Sequence, residues 1–169
     1  MGPYPRTAKG NNYLLVFTDT FTKWVELFLV RVINGKILTR EIKETIFVRY
    51  GVCDEFILDN GSEFDNKDVT KLLDEYGSSH TLIPPGHARA NPVERTNRVI
   101  KTQIIAFIEK KHKEWDKHIY ELMFACNTAV RESTRMTPAF INFGRHPTPP
   151  KLLRIRKKLP WSKTCRMKP

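Results

Sequence analysis

Two apolar runs separated by only five residues constrain this chain more than any other feature. Asn12 to Thr18 (Asn-Tyr-Leu-Leu-Val-Phe-Thr) reads as a buried strand and Trp24 to Val30 as its partner. Asp19-Thr20-Phe21-Thr22-Lys23 forms a hairpin-like return between them. Helical and strand patterns then alternate. Residues 36–50 place Leu38, Ile42, Thr45/Ile46 and Arg49/Tyr50 at helical spacing, with Gly51 as a stop. Glu55 to Leu58 is a short strand. Residues 66–76 form an amphipathic helix through Val69, Leu72, Leu73 and Tyr76, ended by Gly77, and Ser79 to Ile83 is another strand. A punctuated loop, Pro84 to Ala90, leads into a helix from Pro92 to Glu114 and a further one over 116–131 that carries Ile119, Leu122, Met123 and Cys126. Thr137-Pro138-Ala139-Phe140 reads as the capped start of a last helical turn, with proline at its first position. This order predicts an α/β fold, a mixed sheet covered by helices, in one domain.

Composition agrees. At 169 residues, 40% of them hydrophobic, the chain is long enough for one real core and too apolar for a disordered one. No apolar stretch reaches the roughly 18–20 residues that a membrane-spanning helix needs, and Met1-Gly2-Pro3-Tyr4-Pro5 has no signal-peptide core. Cys53, Cys126 and Cys165 are scattered, odd in number and without CxxC spacing, which predicts a reducing intracellular compartment and no structural zinc. The formal charge of +11 is uneven. Residues 151–169 hold eight of the 29 Lys and Arg and no acid, so the first 150 residues carry 21 bases against 18 acids. Such a tail suits a polyanion, because each phosphate it neutralises releases a counterion. A merely solvated end is the alternative reading.

Two acids sit where an element meets a loop. Asp59 ends the run Phe56-Ile57-Leu58 and opens Asp59-Asn60-Gly61-Ser62, while Glu94 follows Asn91-Pro92-Val93 at a helix start, with 34 residues between the two acids. Carboxylates at strand ends and helix starts can meet at a hard divalent ion, which keeps several waters and needs few protein ligands. Two such ions neutralise both the entering and the leaving oxygen in phosphoryl transfer on nucleic acid. Each acid also has a plainer reading: Asp59 as the first residue of an Asp-Asn-Gly turn, and Glu94 as the acid three residues after the N-cap Asn91 in a capping box.

The helix behind Glu94 adds an independent signal. At about 100° per residue, Arg98 and Lys101 lie within about 40° of Glu94 around the axis, and Ile100, Ile104, Phe107 and Ile108 form a stripe roughly a quarter turn away. One face can pack on a sheet while the other presents cations beside the acid. Charge pairing on a solvated face is the alternative.

Several stretches resemble the catalytic core of retroviral-type integrases, in the form carried by gypsy-like LTR retrotransposons. They are Gly2-Pro3-Tyr4-Pro5, Leu15 to Trp24 (LVFTDTFTKW), Leu58 to Phe64 (LDNGSEF) and Asn91 to Arg98 (NPVERTNR), with Asn127-Thr128-Ala129 and Thr137 to Arg145 beyond them. Together they run in family order over residues 1 to about 150. The resemblance implies an RNase H-like mixed sheet flanked by helices and an acidic triad that binds Mg²⁺ or Mn²⁺. Asp59 would be the second acid and Glu94 the third, spaced one residue closer than is usual in the family. The implied activity is DNA integration by 3′-end processing and strand transfer. Asn60, Asn97, Arg98 and Lys101 are the implied DNA-binding or positioning residues, Asn97 having a first-turn polar role as its alternative. Residues 84–91, with Gly86, are the implied loop beside the site.

In the family the first acid lies on a strand a few residues before the Gly-Pro, a place that falls ahead of Met1. The resemblance therefore implies a truncated first strand, an open sheet edge and little or no catalysis by the chain as written. Asp19 matches the end of the following strand and is not that acid. The domains expected are an integrase core over 1–150 and a basic, Pro-containing tail or linker over 151–169. Implied partners are DNA and further copies of the chain, in the nucleus or cytoplasm. A non-catalytic nucleic-acid-binding module derived from an integrase is the competing expectation.

Overall fold

The computed structural model describes residues 1–59, 66–83, 97–102, 104–105 and 113–149. Its first strands, β1 (Tyr13–Thr18) and β2 (Val25–Val30), pair antiparallel from Tyr13 opposite Val30 to Thr18 opposite Val25. The return is closed by Asp19: its backbone N–H donates to Trp24 O at 2.9 Å, and its side chain accepts from Thr22 N at 2.8 Å and from the Thr22 hydroxyl. Lys23 takes the left-handed backbone (φ 63°) that lets so short a turn close.

A helical stretch follows, β3 (Glu55–Asp59) and β4 (Ser79–Ile83) pair in parallel across α3 (Lys67–Tyr76), and the chain returns through further helical segments. α3 starts on Asn66, whose side chain accepts from Asp68 N, and stops at Gly77 in the left-handed region (φ 73°). The expected single helix over 36–50 is instead α1 (Gly35–Glu41), a π-helical turn over Ile42–Phe47 and α2 (Val48–Tyr50), stopped as expected at Gly51. The wider turn buries both Ile42 and Phe47, an outcome that helical spacing by itself does not encode.

The strands are apolar on both faces because both are covered. Leu15 and Val30 on one side join Leu38, Ile42 and Phe47, Phe56 and Leu58 of β3, and Val69, Leu72 and Leu73 of α3. Leu14, Val25 and Leu27 on the other side join Ile100 and Ile104 of a helical segment over 97–102 and 104–105 (α4), and Trp115, Ile119, Leu122 and Cys126. Trp115 belongs to a 3-10 turn (Trp115–His118) that leads into α5 (Ile119–Thr128), and α6 is Pro138–Phe143. The result is a helix–sheet–helix sandwich. Each fully buried Leu or Ile in it contributes about 1.5–3 kcal/mol of transfer energy.

Two expected helix bounds shift. Glu114 is not helical and precedes the 3-10 turn, so the helix read over 92–114 stops before it. The helix read over 116–131 ends at Thr128, where Ala129 turns extended. The last cap stands as read: Thr137 Oγ1 accepts from Phe140 N at 3.1 Å, with Pro138 at the first position.

Among the described residues the sheet is two separate ladders, β1–β2 and β3–β4, which share one core cluster without pairing with each other. On the edge of β1 away from β2, Leu14 N donates to Met1 O at 2.9 Å and Met1 N donates to Leu14 O at 2.7 Å. Met1 is therefore already in strand register with β1.

Candidate active site

Asp59 is the last residue of β3 and lies opposite Ile83, the last residue of β4, so its backbone stands at the carboxyl end of the parallel pair. In open α/β sheets that end is where ligands bind, because side chains and the loops that follow converge there. Asn60 and Glu94 lie outside the described residues, as does the loop over 84–90.

The rest of the proposed set lies on α4. Arg98 and Lys101 are exposed, whereas Ile100 and Ile104 are buried against the β1–β2 face. The division into an apolar stripe and a cationic face follows the angular spacing in the sequence. Thr102 Oγ1 donates to Arg98 O at 2.9 Å and spends its hydroxyl within the helix. Asn97 is half-buried, and its carboxamide oxygen is shut off from solvent and meets no hydrogen-bond partner among the described residues. A buried acceptor left in that condition costs about 1–3 kcal/mol. It marks Asn97 as a residue whose side chain is not explained by the helix it sits on.

Asp19 has a different job. Burial pushes its carboxyl up, but hydrogen bonds from Thr22 and Phe21 and the charge of Lys23 outweigh that and hold it below the ordinary carboxylate range. Its oxygens are committed to the turn, to Phe21 N and to the backbone and hydroxyl of Thr22. Among the described residues no three His, Cys, Asp or Glu side chains cluster as a metal site.

Two polar clusters have no counterpart in the sequence reading. Glu26 is buried on β2 and takes hydrogen bonds from Trp24 Nε1 at 3.1 Å and the Tyr50 hydroxyl, with Arg49 Nη1 at 3.4 Å. Burial first, and Glu26 second, push the Tyr50 hydroxyl up to about 12. The sequence signal for this cluster is one acid inside an apolar run, Val25-Glu26-Leu27. The second cluster is Asn127, buried at the end of α5. Its side-chain oxygen accepts from Val25 N and its amide donates to Val25 O, both at 2.8 Å. This amide pairs with β2 as a neighbouring strand would.

The integrase core domain family matches residues 3–88, just over half of the chain. The chain belongs to that family. Its relatives point to a gypsy-like origin. The gypsy retrotransposon integrase-like protein 1 of Bos taurus is 30% identical over 157 residues, which are 93% of this chain and 31% of that protein. The retrovirus-related Pol polyprotein from transposon 412 of Drosophila melanogaster is 26% identical over 152 residues, 89% of this chain and 12% of the polyprotein. This integrase core thus spans about a third or less of the length of these relatives.

Solved structures agree on the fold. The HTLV-2 integrase catalytic core domain in complex with magnesium, in a trimeric form, has a TM-score of 0.62 at 19% identity and covers 83% of this chain and 99% of its own. A simian T-cell lymphotropic virus intasome bound to the PP2A regulatory subunit B56 gamma has a TM-score of 0.66 at 18% identity and covers 96% of this chain and 62% of that one. The RNase H-like fold of retroviral integrase cores is therefore the fold of this chain.

Proposed function

We propose that this integrase core serves DNA integration, with Asp59 and Glu94 as carboxylate ligands of Mg²⁺ or Mn²⁺ and with 3′-end processing and strand transfer as the reactions. The observation that carries the reading is the place of Asp59, at the carboxyl end of the parallel β3–β4 pair and directly before Asn60-Gly61. The donor set fits a hard ion, because both Asp59 and Glu94 offer carboxylate oxygens. A divalent ion bound there would lower the pKa of the attacking water or 3′-hydroxyl and stabilise charge on the leaving oxygen. Arg98 and Lys101 hold DNA phosphates from the exposed face of α4, and Asn60 and Asn97 position the strand. Residues 1–150 form the core, and residues 151–169 bind further phosphates as a basic linker. DNA is the partner, together with further copies of the chain, and the place of action is the nucleus or the cytoplasm.

The 169-residue polypeptide carries two of the three acids in the family's pattern, so by itself it is expected to show little or no strand transfer. The Met1–Leu14 pairing means that residues added ahead of Met1 would run along β1 past Val16 and Thr18. A form extended that way to include an aspartate is the expected active one. The test is a Mg²⁺-dependent strand-transfer assay on both forms and on Asp59→Asn and Glu94→Gln in the extended one. Robust turnover by the short form, or retention of activity in either variant, defeats the assignment.

A second reading, a DNA-binding module without catalysis, is favoured by the tail's eight bases without an acid. Duplex DNA binding by an extended form with no turnover would select it.

A further inference from the structure

We draw no further inference here: the strongest candidate, the exposed apolar patch of Val48, Tyr50 and Val52 beside the buried Glu26 cluster, carries none because nothing in the structure shows what covers it.

Discussion

Asn127 shows how much a single side chain can decide. Its carboxamide satisfies both backbone groups of Val25, a residue with no solvent exposure of its own. Removing it in Asn127→Ala leaves a buried N–H and C=O unpaired, which is expected to cost about 2–5 kcal/mol. Asn127→Asp is expected to be as damaging, because a carboxylate cannot donate to Val25 O. Urea denaturation of the two variants checks this, and midpoints unchanged from the parent protein would refute it.

Two residues predict pH dependence of opposite sign. Asp19 is held below the ordinary carboxylate range in the folded chain, so it stabilises the fold at pH values above about 4 and loses that contribution as pH falls into the acid range. Tyr50, pushed up to about 12, stays neutral where an unfolded tyrosine ionises. Its contribution is complete below pH of about 10 and is lost as pH rises from there towards 12. Ultraviolet titration of the folded protein should show two of the five tyrosines ionising late, Tyr50 and the Tyr4 that burial also pushes up, and Glu26→Gln should bring Tyr50 earlier. A Tyr50 that titrates with free tyrosine in the folded parent would contradict the Glu26 cluster.

At the scale of elements, two glycines separate close packing from backbone strain. A Cβ on Gly35, at the start of α1, would meet the Asn66 side chain at 2.5 Å. Gly35→Ala must therefore displace the residue that caps α3, at a cost of about 1 kcal/mol or more. Gly77 has no atom within 4 Å of such a Cβ but sits at φ 73°, so Gly77→Ala costs about 1 kcal/mol through the backbone alone. Combining Gly35→Ala with Asn66→Ala distinguishes the two mechanisms. The double variant should be no less stable than Asn66→Ala alone, whereas Gly77→Ala should add to it in full. Thermal melts of the set read this directly.

Most elements were legible in the residues because their signals are local. Gly51, Gly77 and Thr137-Pro138 end or start helices where the sequence places them, since left-handed backbone and side-chain caps need no distant partner. The π-helical turn over Ile42–Phe47 was not legible. It widens the helix at the point where Ile42 and Phe47 are buried in the core shared with β3 and α3, and that demand comes from residues far along the chain.

For the whole molecule, charge makes the sharpest prediction. The first 150 residues are nearly balanced and residues 151–169 are not. Deleting 151–169 should therefore weaken duplex binding and flatten its dependence on salt. Up to eight fewer phosphates are then neutralised, each changing the slope by about 0.9. Fluorescence anisotropy across a salt series measures this. An unchanged slope would place the DNA-binding charge elsewhere, with Arg98 and Lys101 the next cations to substitute.

The sequence by itself determined the order of elements, the helix stops at Gly51 and Gly77, the Thr137-Pro138 cap, the two-faced α4 and the family. These follow from spacing, turn chemistry and motif, all of which are written along the chain. Only the tertiary structure decided that, among the described residues, β1–β2 and β3–β4 stand as separate ladders sharing one core cluster, that Asp59 shares its strand end with Ile83, and that Glu26 and Asn127 are buried and paired. The physical reason is separation: a buried polar group is stable only when a partner meets it, and Asn127 finds Val25 across 102 residues of intervening chain.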